Sequence, residues 1–83
     1  MDLNSPLLRE RMLAIAEVVK NQKKDFETIS ILKNLTSSDE HMLGNSEGQF
    51  AHAALDLLGI VPYAGDDRRV FLLISSKILG LAT

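Results

Sequence analysis

The chain has 83 residues, 46% of them apolar and 24% charged, with a formal net charge of −2. That length fits one small domain, the apolar share argues against disorder, and the charge lacks the basic excess that nucleic-acid binding needs. Cysteine is absent, which excludes disulfides and thiolate metal sites.

The first predicted element is an amphipathic helix. Asn4 or Ser5 is expected to cap it, with Pro6 at its first position, where a missing N–H costs nothing. Leu8, Met12, Ile15, Ala16 and Val19 fall on one face, broadened by Leu7 and Val18, while Arg9, Glu10, Arg11 and Glu17 fall mostly outside it. Asn21 to Asp25 is polar but holds no Gly or Pro. Apolar spacing resumes at Phe26, Ile29 and Leu32, with Ile31 and Leu35 beside it. Two readings compete. Either the helix breaks near Asn21 and an antiparallel pair forms, or one helix runs from Pro6 to about Leu35. The series Leu8, Met12, Ile15, Val19, Gln22, Phe26, Ile29, Lys33 keeps a coiled-coil-like alternation, with Gln22 and Lys33 as polar entries in the seam. A rod of about 30 residues would be about 45 Å long and would need a partner to cover it. The broken version is preferred for a monomer.

Thr36 to Gly48 is polar. Ser37 with Glu40 is expected to cap a single helical turn through Leu43, stopped by Gly44; otherwise this is a loop. Ser46 with Gln49 has the form of a capping box. From there Phe50, Ala53, Ala54, Leu57 and Leu58 line one face, Ala51 and Leu55 widen it, and His52 and Asp56 sit opposite. Gly59 suits a helix end in the left-handed conformation, and Pro62 cannot continue a helix. Ile60, Val61 and Tyr63 are expected to tuck against the helices at this corner. Tyr63-Ala64-Gly65 reads as a turn, with Asp66 or Asp67 capping a last apolar helix to about Leu81. A strand over Val70–Ser75 is the alternative.

The whole reads as an all-α fold: a small bundle of four helices, or five if the Ser37–Leu43 turn forms, with a Gly-x-x-Pro corner between the last two. The helices are expected near residues 6–20, 25–35, 47–58 and 67–81 of a single domain.

Chemistry is sparse. His52 and Asp56 are four apart, and His41 lies in the polar connector, but two histidines without a ligand cluster make a poor zinc site. No serine sits in a G-x-S-x-G motif, and P-Y-A-G lacks the lysine and spacing of a phosphate loop. No catalytic residue, cofactor or metal is expected. The basic groups Lys20, Lys23, Lys24 and Arg68-Arg69 have acids close by and read as solvated helix faces or ends. The N-terminus carries Asp2 where a signal peptide would be basic, and no apolar run reaches the ~20 residues of a spanning helix. A cytoplasmic location is expected, compatible with delivery by a specialised secretion system.

The string Ala54-Leu55-Asp56-Leu57-Leu58-Gly59-Ile60-Val61-Pro62-Tyr63-Ala64-Gly65-Asp66 resembles a segment of bacterial polymorphic toxins that reads A-L-D-x-x-G-x-I-P-x-x-G-(D/E). Ala54, Leu55, Asp56, Gly59, Val61, Pro62, Gly65 and Asp66 match it in place. The next residues, Asp67 to Ser76, depart from the Ala/Asn-rich helix usual there. The resemblance implies a non-catalytic helical module of a delivered effector, engaging a delivery apparatus, a chaperone or a membrane.

The residues alone point to a non-enzymatic interaction module. So few residues are expected to leave apolar surface uncovered, and the last helix is apolar nearly all round. Its contacts are expected at Phe50, Leu57, Tyr63, Phe71, Ile74 and Ile78, with a protein partner or a second copy. Membrane contact is the less favoured reading.

Overall fold

The computed structural model describes residues 3–42, 44–65, 69–72 and 74. Among these the chain is mostly helical: α1 (Leu8–Asn21), α2 (Phe26–Leu35), β1 (His41–Met42), β2 (Asn45–Ser46), α3 (Glu47–Leu57) and α4 (Arg69–Leu72). α3 is the hub, packing against α1, α2 and α4.

α1 begins at Leu8, two residues after Pro6, and Leu7 at its N-cap position contributes no side-chain bond. Ser5 does not cap the helix as expected. Its hydroxyl accepts from the Leu7 N–H at 3.2 Å and donates to Glu10 at 2.5 Å. Met12, Leu13, Ala14, Ile15, Ala16 and Val18 are buried. That face is wider than the sequence stripe because Leu3, ahead of the helix, also enters the core.

α1 ends where the polar patch begins. Gln22 takes the left-handed conformation at φ 52. The N–H of Lys23 reaches the Val18 carbonyl at 3.0 Å, and that of Gln22 reaches Val19 at 3.2 Å. This is a Schellman ending with glutamine where glycine is usual. Two separate helices follow, and the longest extent of the molecule is 28 Å, too short for a 30-residue rod. Left-handed backbone costs an L-residue about 1–2 kcal/mol, against which glycine loses some chain entropy. Gln22→Gly is therefore expected to stabilise by about 0.5–1 kcal/mol in urea unfolding; a loss of stability would contradict this account of the helix end.

Asp25 restarts the chain as the N-cap of α2. Its carboxylate accepts from the Thr28 N–H at 3.1 Å and the Thr28 hydroxyl at 2.7 Å. Those bonds favour the ionised form. The hydroxyl bond is the larger cause, and the carboxyl titrates below its ordinary 3.8. A depressed folded pKa contributes stability above the unfolded value and loses it as pH falls through the folded one. Asp25→Ala should thus lower the melting temperature at neutral pH, with the difference from wild type shrinking as pH falls below about 3.8. A constant difference down to pH 2 would count against the cap.

Thr28 and Leu32 are the buried residues of α2, with Ile29, Ile31 and Leu35 packed at the core's margin. Phe26 is 88% exposed, contrary to the expected Phe26–Ile29–Leu32 stripe. At about 100° per residue it lies nearly opposite Thr28, which the Asp25 cap turns inward.

Among its described residues the connector forms no helical turn. The hydroxyls of Thr36 and Ser37 bond the Lys33 and Asn34 carbonyls and close the end of α2. His41–Met42 then pairs antiparallel with Asn45–Ser46, with His41 opposite Ser46. Gly44 at the turn has φ 86.

The expected capping box is present. Ser46 Oγ accepts from the Gln49 N–H at 3.2 Å, and Gln49 Oε1 from the Ser46 N–H at 2.9 Å. Phe50, Ala51, Ala53 and Ala54 are wholly buried. Three alanines on one helix allow its neighbours to approach closely. Gly59 ends α3 at φ 76, with Ile60 N–H on the Leu55 carbonyl at 2.9 Å and Gly59 N–H on Asp56 at 2.8 Å. Beyond the corner, Val70 and Ile74 are fully buried and Phe71 is half-buried. The predicted caps Asp66 and Asp67, and the stretch from residue 75 that includes Ile78, lie outside the described residues.

Candidate interaction surface

Asp56 fixes the corner after α3. Its Oδ2 accepts the Tyr63 N–H at 2.7 Å, so a carboxylate one residue before the helix end holds the chain where it turns back. Tyr63 is buried, and its ring meets Phe71 edge-on, with centroids 5.4 Å apart and planes at 87°. His52, exposed on α3, also approaches Tyr63, with ring centroids 6.4 Å apart. Gln49, His52, Val61, Pro62, Tyr63, Ala64 and Gly65 line an open groove of about 370 Å³.

This geometry redistributes the expected contacts. Phe50, Tyr63 and Ile74 are buried within the chain and have almost no surface to offer, while Phe71 packs against the core. Leu57 is exposed, at 37%. Ile60 and Val61, expected to tuck inward, are 39% and 37% exposed. The Schellman ending explains them. Its bonds to the Leu55 carbonyl turn the chain outward directly after Leu58, and Tyr63 is the residue that folds back in. The apolar edge is therefore Leu57–Ile60–Val61, beside the groove.

No proton-shuttle pair forms at His52. Asp56 is engaged by the backbone of Tyr63, and His41 lies exposed on β1. Among the described residues no group of three or more His, Asp or Glu could hold a metal ion.

The strongest electrostatic feature lies elsewhere and was not foreseen. Glu47, the first residue of α3, is a buried carboxylate with 1% of its side chain exposed. Arg11 Nε donates to its Oε2 at 2.8 Å and Arg11 Nη2 to its Oε1 at 3.3 Å. Ser38 Oγ donates to Oε1 at 2.7 Å. The guanidinium also donates through Nη1 to the Ser5 carbonyl at 2.9 Å and pairs through Nη2 with Glu40. Its pKa is raised above an already high value. The hydrogen bond the guanidinium donates to Glu47 is the main cause, burial opposes it, and the charges of Glu47 and Glu40 add to it. A carboxylate at a helix N-terminus is also favoured by the helix dipole. All of this is architecture: Nε, Nη1 and Nη2 each bond within the chain, and both Glu47 oxygens are taken. Its only sequence signal is Glu47 directly after the Ser46 cap.

Comparison with family models, with characterised proteins and with solved structures returns no match for this chain.

Proposed function

We propose that this chain is a non-catalytic helical interaction module. It is read as a small bundle of four helices, with the Gly59–Pro62 corner between the last two as its contact edge. The observation that carries the reading is the exposure of Leu57, Ile60 and Val61 together, at the end of α3 and in the bend after it. Single exposed apolar residues are ordinary on a protein surface, but several in one place favour contact with another protein. The partner is a second copy or a protein with an apolar face of its own. The likeness of Ala54–Asp66 to the polymorphic-toxin segment supports a place in a delivered effector, with the same edge engaging the delivery apparatus.

Molar mass by light scattering, measured across a dilution series, tests this reading. Self-association predicts a mass above the monomer that falls on dilution, and a melting temperature that rises with concentration. A Leu57→Glu/Val61→Lys variant should lose the association while keeping the monomer's helical content. A monomer at every concentration, with no saturable protein partner, would overturn the reading. Flotation with liposomes should leave the protein in the soluble fraction; recovery with the vesicles would favour membrane contact instead.

A further inference from the structure

The capping box of α3 also decides what the helix offers the groove beside it. The Ser46 N–H and the Asn45 Nδ2 both donate to Gln49 Oε1, at 2.9 and 3.2 Å. A backbone N–H can only donate, so the way round of the Gln49 amide is fixed, and both lone pairs of Oε1 are taken. The Nε2 donors are left over, with no acceptor among the described residues. Gln49 lines the groove, and the free polar group it brings there is a donor.

His52 stands three residues on, beside Gln49 on the same helix face. It is exposed, lines the groove too, and makes no hydrogen bond among the described residues. An imidazole donates through one ring nitrogen when neutral and through both when protonated. The rest of the lining is Val61, Pro62, Tyr63, Ala64 and Gly65, with no carboxylate among the described residues. Asp56, one turn beyond His52, is held by the Tyr63 N–H.

Two side-chain donors thus meet apolar walls and no anion. The complement is an anionic acceptor joined to an apolar group. A chain's C-terminus carries both on one carbon atom, and a charge-assisted bond to a carboxylate is stronger than a neutral one. At about 370 Å³ the groove has the size of a small-ligand site, which suits a chain end better than a folded face. We propose that this groove captures the C-terminal carboxylate of a partner protein whose last residue is apolar. The proposal rests on the interaction reading above, because Val61 belongs both to the groove and to the exposed edge.

The probe is N-acetyl-Ala-Leu with a free carboxylate, titrated into isotope-labelled protein and followed by NMR. Its C-terminal amide and acetate are the controls. The free acid should shift the amide resonances of Gln49, His52 and Ala64 to saturation, and the amide should bind about tenfold more weakly. Equal binding of acid and amide would overturn the proposal. So would acetate matching the acid, which marks an adventitious ion only. Gln49→Glu is the decisive variant. Glutamate serves a capping box as glutamine does, so the helix start is kept while the donor becomes a carboxylate oxygen. Affinity for the acid should fall about tenfold or more, with helical content unchanged. His52→Ala, at an exposed position, should weaken it about threefold. Full affinity in both variants would overturn the assignment. Light scattering separates the two levels: a protein that self-associates yet ignores the acid loses the carboxylate site alone, and one that does neither loses the interaction reading as well.

Discussion

Glu47→Ala is expected to destabilise the protein by about 3–5 kcal/mol. Truncation leaves the Arg11 guanidinium, itself only 11% exposed, without its main counter-ion, and breaking a buried pair from one side is among the costliest single changes. It also leaves the Ser38 hydroxyl without its acceptor. A domain of this size has a total stability of roughly 4–12 kcal/mol, at about 0.05–0.15 kcal/mol per residue. The variant should therefore be partly or wholly unfolded at 37 °C, as read by circular dichroism and urea titration. The double change Arg11→Met/Glu47→Leu should recover much of the loss, since replacing a buried pair with apolar groups is often neutral or better. Glu40→Gln should cost about 0–1 kcal/mol, because that carboxylate is 56% exposed. A loss under 1 kcal/mol for Glu47→Ala would show that water reaches the pair and that the network is decoration.

Gly48→Ala is the second large effect, and its sign opposes what helix propensity suggests. Alanine is the better helix former by about 1 kcal/mol. Here, however, a Cβ on residue 48 would stand 2.4 Å from the Thr36 carbonyl oxygen and 2.8 Å from that of Ser38. Both are backbone atoms, so no side chain can swing away. The N-terminus of α3 would have to part from the connector after α2, and the bond from the Gly48 N–H to the Ser38 carbonyl, at 3.0 Å, would go with it. Overpacking together with an orphaned backbone group should cost about 3 kcal/mol or more. Urea midpoints of the two proteins decide the matter. A variant as stable as wild type would mean that this approach is looser than described.

What was legible in the sequence was local. The Ser46–Gln49 box, the left-handed Gly59 and the apolar faces of α1 and α3 all rest on residues a few positions apart, and hydrophobic period or capping chemistry finds them directly. The end of α1 was harder, because Gln22 performs a task usually given to glycine. The hairpin was missed because its ladder is two residues long on each side, too short for alternation to register. Phe26 misled for a different reason. A stripe drawn through it fits the helical period, yet the Asp25–Thr28 cap sets which face turns inward. The Arg11–Glu47 pair spans 36 positions, and no periodicity carries such a contact. The contact edge was half legible. Leu57 was foreseen, but the outward turn of Ile60 and Val61 follows from backbone bonds that composition does not reveal.

Tyr63 is the single tyrosine in a chain without tryptophan. Its ring contacts those of His52 on α3 and Phe71 on α4. The dominant intrinsic fluorophore of the molecule is therefore placed at the seam of those two helices. Tyrosine emission reports the seam, whereas the amide signal averages over every helix, so the departure of α4 can be followed separately from the melting of the rest without attaching a label.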